Sequence, residues 1–242
     1  MYIHNLNYIK YIMGIIEFDA LASTNTYAKE NIDKLGHFDI VLAAVQTAGR
    51  GRRGRTWLSR EGGLYFSVVL KPHKAQPAFT HAMALSVCDT LKAYGAPVYI
   101  KWPNDVLARG KKLCGILSEA VFENNFLKGI IIGAGINVAQ NEVKTDKPAV
   151  TLKKLGIAAD GKKLLNDILL LFGQNYNRLS EGGFSAIKAA YKANFPYLGK
   201  EISIDTGRGL ITGSALDLDG EGRILVKTAG GVEAVSLGDM GF

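Results

Sequence analysis

The sequence predicts an α+β fold: a mixed, mainly antiparallel β-sheet with helices packed against it, followed by a small C-terminal β-barrel. Three observations predict this class. Short apolar runs typical of strands alternate with longer segments of helical period as far as residue 195. From Lys200 onward the pattern changes to short alternating segments separated by turn residues. The composition, 48% hydrophobic and 21% charged over 242 residues, is ordinary for a globular protein.

The first part of the chain contains six predicted strands and four predicted helices. The strands are 15–18, 38–46, 64–71, 98–102, 111–119 and 126–133, and the helices are 26–35, 79–94, 162–179 and 184–195. Ser23, Thr24 and Asn25 precede the first helix, where such side chains cap free N–H groups. Pro103 ends the strand at 98–102 because proline cannot donate to the strand ladder.

The last part of the chain predicts strands at 201–205, 210–217, 224–227 and 232–236. Asp219-Gly220 and Gly230-Gly231 are tight-turn signals between them. We therefore predict a larger domain over 1–195 and a small β-barrel domain over 196–242. Residues 1–13 are expected to be a loose extension, because the folded pattern begins near Gly14.

Composition excludes several classes of protein. Cys88 and Cys114 both lie in apolar segments and are expected to be buried thiols, and no spacing of histidine and cysteine indicates a metal site. No apolar run approaches the ~18 residues of a membrane span, and the N-terminus lacks the core of a secretory signal. We therefore expect a cytoplasmic protein without a membrane partner.

A loop between two predicted strands concentrates positive charge. Its arginines occupy four of six positions and are interleaved with glycines: Arg50, Arg52, Arg53, Arg55 and Gly49, Gly51, Gly54. Glycine allows close approach of the backbone to a ligand, and arginine presents a fork of donors that matches carboxylates and phosphates. The pattern predicts a loop that closes over a small anionic molecule. The alternatives at this point are contact with nucleic-acid phosphates or a contribution to solubility alone.

Two further positions are unusual for their surroundings. Lys101 is a lone ammonium group at the end of an apolar strand, which indicates a buried cationic role, with an ordinary surface lysine as the alternative. Gly115 lies inside a strand, which indicates either close approach of a ligand or a β-bulge. Gly133 and Gly135 lack the third glycine and following helix of a dinucleotide-binding fingerprint.

Four separated pieces of the chain together resemble the biotin–protein ligases. They are Ser23-Thr24-Asn25, Gln46 with the arginine loop, the run Lys101-Trp102-Pro103-Asn104-Asp105, and 112–117 followed by 133–137. The resemblance covers roughly residues 14–240. It implies the fold shared by class II aminoacyl-tRNA synthetases and biotin synthetases, with an SH3-like barrel at the C-terminal end.

The resemblance also implies an activity and its partners. Members of this family join biotin to ATP as biotinyl-5′-AMP with Mg²⁺, then transfer biotin to a lysine of a biotin carboxyl carrier domain. The catalytic pattern starts by residue 14, so we expect the type without a DNA-binding domain and no binding to DNA. Homodimers occur in such a family, and no residue here decides between monomer and dimer.

The resemblance assigns roles to individual residues. Lys101, Arg50 and Arg52 are the implied catalytic cations. Biotin would be bound by Ser23, Thr24, Asn25, Gln46, Gly49, Arg50, Gly51, Arg52, Lys101 and Gly115. The nucleotide would be bound by Arg52, Arg55, Trp57, Lys112 and Asn137. The Mg²⁺ ligands are not implied by any residue pattern.

Two other functions compete with this assignment. A lipoate–protein ligase shares the architecture and the acyl-adenylate chemistry, but its motifs lack this arginine loop. A basic nucleic-acid-binding module would account for the net charge of +7, much of which comes from the one loop. That module would also need an aromatic-studded surface, which the sequence does not predict.

Overall fold

An eight-stranded sheet forms the centre of the protein in the computed structural model, which describes residues 3–6, 13–73, 76–140 and 148–241. Its strands in chain order are β1 (Ile3–Leu6), β2 (Met13–Leu21), β3 (Ile40–Gln46), β4 (Leu64–Leu70), β5 (Val98–Lys101), β6 (Asp105–Ala108), β7 (Lys111–Glu123) and β8 (Phe126–Ile136). They are ordered β1-β2-β3-β4-β8-β7-β6-β5 across the sheet. β2 and β3 pair in parallel, and the other neighbours pair antiparallel.

Four helices cover the two faces of this sheet: α1 (Thr24–Glu30), α2 (Ala78–Ala93), α3 (Gly161–Gly182) and α4 (Ser185–Ala193). α2 lies on β5 to β8, and α3 and α4 pack against α2. α1 lies on the opposite face, against β3, β4 and β8. No helix in the described ranges is long and apolar enough to cross a membrane.

The two-residue period of the strands divides the apolar side chains between these faces. On β8, Ile130 and Ile132 belong to the large core under α2 and α3. Ile131, between them, joins Val41 and Val69 in a smaller core under α1. The next residues of β8 on the α1 side are Gly133 and Gly135. The α1 face of the sheet therefore loses its side chains at that point, which leaves room for a cavity.

A second, five-stranded antiparallel sheet follows the helices. Its strands are β9 (Glu201–Asp205), β10 (Leu210–Leu218), β11 (Ile224–Thr228), β12 (Gly231–Val235) and β13 (Asp239–Gly241), in the order β12-β11-β10-β9-β13. Together with the mainly antiparallel central sheet and its helices, this arrangement confirms the predicted fold class.

Some elements differ from the prediction. β6 was not among the predicted strands, but Lys101 and Asp105 are partners in a tight β5–β6 hairpin, so the chain returns at once as a strand. β13 is too short to show a period. α1 ends at Glu30 rather than at residue 35, because Asn31 leaves the helical conformation and its side chain donates to the Tyr27 carbonyl at 3.0 Å. β1 lies within the expected loose extension and pairs antiparallel with β2.

His81 of α2 lies where α4 and the β10–β11 turn meet the large core. It is 2% exposed, and its ring contacts Phe184 and Tyr191 at centroid distances of 5.2 and 5.1 Å. Nδ1 donates to the Pro77 carbonyl at 3.2 Å, which places the ring proton on that nitrogen. Burial lowers the pKa of His81 from 6.5 to about 4.

This histidine should make stability depend on pH. Its folded pKa is lowered, so the unfolded chain binds the proton first and the free energy of unfolding falls as pH drops from 6.5 toward 4. The steepest loss should be roughly 1.4 kcal/mol per pH unit. Urea unfolding at several pH values checks this against His81→Gln, which cannot titrate. Equal pH slopes in the two proteins would contradict the prediction.

Candidate functional site

A cavity of ≈ 510 Å³ lies on the α1 face of the central sheet. Its floor is the stretch of β7 and β8 where Gly115, Gly133 and Gly135 carry no side chain. A Cβ atom at Gly133 would overlap the side-chain amide of Asn25, and one at Gly135 would overlap the Trp57 indole. A Cβ at Gly115 would lie 2.9 Å from both Lys112 and Trp57. The three glycines therefore let polar and aromatic side chains lie flat on the strands.

One end of the cavity is polar but uncharged. Ser23 caps α1, with its hydroxyl 3.4 Å from the Thr26 backbone nitrogen. The backbone N–H and the hydroxyl of Thr24 donate to Gln46 Oε1 at 2.8 and 3.2 Å. Gln46 Nε2 in turn donates to the Ser59 hydroxyl at 2.7 Å. The first turn of α1 and the end of β3 are thus fixed relative to each other.

Asn25 has most of its hydrogen-bonding capacity in use within the protein. Its amide nitrogen donates to the Leu117 carbonyl at 3.2 Å and to Glu119 Oε2 at 2.8 Å. Its oxygen lies 2.6 Å from the hydroxyl of Ser67, a fully buried residue. Asn25 therefore joins α1 to β4 and β7, and its position depends on these three partners.

The arginine loop, residues 49–57, is a tight hairpin above this floor. The Trp57 N–H donates to the Gly49 carbonyl at 2.9 Å, and the Gly51 N–H donates to the Arg55 carbonyl at 2.6 Å. A Cβ at Gly49 would overlap the Trp57 carbonyl, so only glycine closes the hairpin here. The tip, Arg52–Gly54, is a 3-10 turn.

Each loop arginine that lines the cavity is paired with an acidic side chain. Arg50 Nη2 binds both oxygens of Glu119, at 2.8 and 3.1 Å, beside Asn25. Arg55 is ion-paired with Asp239 of β13. Glu119 approaches from β7 and Asp239 from the C-terminal sheet, so the charges that balance the loop come from two separate parts of the fold.

Arg52 is the least exposed of the loop arginines, at 19% of its side chain. Its Nη1 donates to Asn104 Oδ1 at 2.8 Å and to the Gly238 carbonyl at 3.0 Å, and lies 3.4 Å from Asp239. Burial lowers the pKa of this guanidinium, and the charge of Asp105 opposes the shift. Arginine starts from so high a pKa that the group stays charged at neutral pH.

A second cationic group lies next to the indole of Trp57. Lys112 Nζ is 2.7 Å from Asp105 Oδ1 and 5.3 Å from the centre of the Trp57 ring. Asn137 donates from its side chain to the Lys112 carbonyl at 3.3 Å. The indole N–H of Trp57 is buried and has no hydrogen-bond partner among the described residues. This end of the cavity combines an ammonium group, a flat aromatic ring and an unused donor.

The cavity brings together twelve of the fourteen residues predicted for the site. They are Ser23, Thr24, Asn25, Gln46, Arg50, Gly51, Arg52, Arg55, Trp57, Lys112, Gly115 and Asn137. Gly49 and Lys101 are not among the lining residues. Gly49 closes the hairpin from outside, and Lys101 is a partly buried residue at the end of β5, opposite Asp105 in the ladder.

Several residues at or beside the cavity were missed from the sequence. Glu119 could have been found, because it follows Gly115 and Leu117 at the two-residue spacing of one strand face. Asn104 belongs to the run that carries the resemblance, but no role was predicted for it, and in the structure it accepts from Arg52. Ser67 and Asp239 carry no local signal, because their partners lie far away in sequence.

The arrangement can hold a small polar ring at one end and bring two anions together at the other. Hydroxyl and amide groups at the first end suit a neutral ligand that both donates and accepts hydrogen bonds. Guanidinium groups at the second end suit carboxylate and phosphate oxygens. An aromatic ring beside a lysine suits a flat base with phosphates attached.

Comparisons with known proteins agree with this geometry. The biotin/lipoate A/B protein ligase family matches residues 17–137, and the biotin protein ligase C-terminal domain matches residues 197–242. The biotin–[acetyl-CoA-carboxylase] ligase of Paracoccus denitrificans is 31% identical, over 91% of this chain and 97% of its own. The bifunctional ligase/repressor BirA of Bacillus subtilis is 34% identical, over 95% of this chain and 74% of its own.

A solved structure supports the same conclusion. The biotin protein ligase of Aquifex aeolicus in complex with biotin and ATP has a TM-score of 0.84 and 33% identity, covering 94% of this chain and 97% of its own. The matches span the central sheet, the arginine loop and the C-terminal sheet that together form the cavity. The chain therefore belongs to the biotin/lipoate A/B protein ligase family.

Proposed function

We propose that this protein is an ATP-dependent ligase that activates biotin as biotinyl-5′-AMP and transfers the biotinyl group to a lysine of a biotin carboxyl carrier domain. The observation that carries the proposal is one cavity of ≈ 510 Å³ with an uncharged polar end and an arginine-lined end. The relative named biotin–[acetyl-CoA-carboxylase] ligase and the neighbour bound to biotin and ATP support it.

The first step joins two anions. A biotin carboxylate oxygen attacks the α-phosphorus of ATP, the bond to the β-phosphate oxygen breaks, and pyrophosphate leaves. Arg50 and Arg52 would neutralise the repulsion between the carboxylate and the phosphate and stabilise the charge that develops in the transition state. Their present partners, Glu119 and Asp239, hold both guanidinium groups at the cavity before substrate arrives.

The uncharged end would recognise the ureido ring of biotin. A ureido group has two N–H donors and one carbonyl acceptor, which hydroxyl and amide side chains complement. Ser23, Thr24 and Gln46 are the proposed contacts. Asn25 would act mainly by holding the start of α1 against β7, because its own amide is engaged by Leu117, Glu119 and Ser67.

The other end would bind the nucleotide. Trp57 would stack on adenine, and its N–H lacks a hydrogen-bond partner among the described residues. Arg55, Lys112 and Asn137 would face the phosphates. Gly115 would let the backbone of β7 pass close to the bound intermediate.

The second step moves the biotinyl group to an amine. The lysine nitrogen attacks the acyl carbon, the acyl–phosphate bond breaks, AMP leaves, and the amine loses a proton. No nucleophile of the enzyme is required. The loop would exclude water from the mixed anhydride until the acceptor lysine arrives.

Mg²⁺ would enter with the nucleotide. No group of three or more His, Cys, Asp or Glu side chains converges within the described ranges. The two carboxylates that line the cavity, Asp105 and Asp239, are already ion-paired with Lys112 and with arginines. We infer that phosphate oxygens and water would supply most ligands of the metal, as is common for Mg²⁺ with nucleotides. When bound, it would screen phosphate charge.

We further propose that residues 1–195 form the catalytic domain and 196–242 a smaller domain that completes it. Asp239 supports this proposal, because it belongs to the C-terminal sheet and also lines the cavity.

The proposed activity can be tested by substrate choice. With ATP and Mg²⁺, we expect pyrophosphate release with biotin and background release with lipoate. Biotin should then appear on a biotin carboxyl carrier domain, and replacing its acceptor lysine by arginine should abolish the transfer. Pyrophosphate release with lipoate alone would assign the protein to the other branch of the family.

The two lysines near Asp105 should behave differently. Lys101→Ala should lower kcat by ~10²-fold with little change in KM, if its charge acts mainly in the transition state. Lys112→Ala should chiefly raise KM for ATP, because Lys112 lies beside Trp57. Steady-state pyrophosphate release measures both variants. Near-normal turnover of Lys101→Ala would remove Lys101 from the mechanism.

Two alanine substitutions on β8 should separate the ends of the cavity. Gly133→Ala displaces Asn25 and should raise KM for biotin, whereas Gly135→Ala displaces Trp57 and should raise KM for ATP. Each variant is the control for the other, since both add one methyl group to the same strand. The same assay measures both constants, and thermal melting checks that each variant is folded. The opposite pattern would reverse the proposed orientation of the substrates.

A further inference from the structure

Arg53 differs from the other three arginines of the loop. Arg50, Arg52 and Arg55 line the cavity, but Arg53 does not. Its guanidinium is directed to β9 of the C-terminal sheet, where Nη1 lies 2.7 Å from Asp205 Oδ2 and Nη2 donates to the Asp205 carbonyl at 2.8 Å. One residue of the C-terminal sheet therefore receives both terminal nitrogens of Arg53.

Asp205 is prepared for this contact by its own turn. Its Oδ1 accepts from the Gly207 N–H at 2.7 Å, which leaves Oδ2 for Arg53. Any side chain at Gly207 would crowd Arg53, because a Cβ there would lie 3.2 Å from Nη2. Asp205 is also the ladder partner of Asp239, so two carboxylates lie side by side under the tip of the loop.

The backbone of the loop needs an anchor at this position. Arg53 has a φ of +54°, in the left-handed region of backbone conformation that residues other than glycine and asparagine rarely adopt. Gly54 follows with a φ of +73°. Two successive left-handed residues turn the Arg53 side chain out of the cavity, and the bonds to Asp205 compensate for the strained conformation.

The contacts of the loop thus fall into two classes. Asp239 pairs with Arg52 and Arg55 inside the cavity, where substrate anions can replace it. Its Oδ2 also lies 3.9 Å from Arg53 Nη1, a longer contact than the 2.7 Å pair between Arg53 and Asp205. Asp205 pairs with Arg53 outside the cavity, where it can persist while substrate is bound. We propose that Arg53 and Asp205 form a latch that keeps the arginine loop closed over the acyl-adenylate and so retains this intermediate.

This inference rests on the proposed function, because it concerns the intermediate of that reaction. The expected effect is moderate. The side chains of Arg53 and Asp205 are 32% and 56% exposed, and exposed ion pairs contribute little unless their geometry is bidentate. The loop contains three glycines, so its open and closed conformations should differ little in free energy. One such ion pair is therefore enough to shift the equilibrium between them.

The latch can be tested with Arg53→Gln, Asp205→Asn and the double variant. Asp205→Asn keeps an oxygen for the Gly207 N–H, but it removes the charge and replaces the oxygen that faces Arg53 by an amide nitrogen, which cannot accept. Each single variant should release biotinyl-5′-AMP about fivefold faster, near the upper limit for an exposed pair. The double variant should be no faster than Arg53→Gln, because Asp205→Asn breaks an ion pair that Arg53→Gln already breaks. KM for biotin should stay within twofold of the wild type.

Release is measured by filtering enzyme loaded with labelled adenylate, and by biotinylation of a bystander protein. The control is Arg223→Gln, which breaks ion pairs with Asp219 and Glu221 in the β10–β11 turn of the same domain without touching the loop. High salt should bring the wild type closer to the variants, because the pair is screened.

The outcomes separate the two proposals. Adenylate that forms in all variants and leaves at the wild-type rate would overturn the latch alone. Multiplied effects in the double variant would also overturn it, since they indicate independent roles. Absence of adenylate in the wild-type protein would instead overturn the proposed function.

Discussion

The repulsion among four guanidinium groups on one short loop is the constraint on which the site depends. Like charges this close destabilise a folded loop unless opposite charges lie nearby. The protein provides those charges from elements far apart in sequence: Glu119 on β7, Asp205 on β9 and Asp239 on β13. The loop is therefore shaped by its surroundings as much as by its own sequence, and two sheets must meet to form it.

The site also requires strand positions without side chains beneath the cavity. The apolar residues of β8 that cover the sheet under α1 give way to Gly133 and Gly135, and Gly115 of β7 lies beside them. Asn25, Trp57 and Lys112 occupy the space that a Cβ would fill. The cavity left by the glycines and the arginines of the loop thus lie on the same face of the sheet, while the other face carries the large core.

Local patterns in the sequence predicted much of this architecture. Apolar periods located the long strands and helices, and the glycine-arginine run located the loop, because both signals come from neighbouring residues. β6 was missed because the hairpin before it is short, and β13 because three residues show no period. Twelve of the fourteen residues predicted for the site line one cavity, but the carboxylates that pair with the arginines were not predicted. Side-chain contacts between residues 152 or 186 positions apart leave no trace in any local window.

The long separation of these partners has a consequence for synthesis of the chain. The loop leaves the ribosome 152 residues before Asp205 and 186 residues before Gly238. Until the C-terminal sheet has been made and has docked, the nascent chain carries its guanidinium groups without two of their three acidic counterparts. A growing polypeptide can thus assemble the floor of the cavity early, but it gains a closed reaction chamber only near the end of translation. Because domains generally fold as units while they leave the ribosome, with the N-terminal domain first, we expect the cavity floor to form before the C-terminal sheet docks.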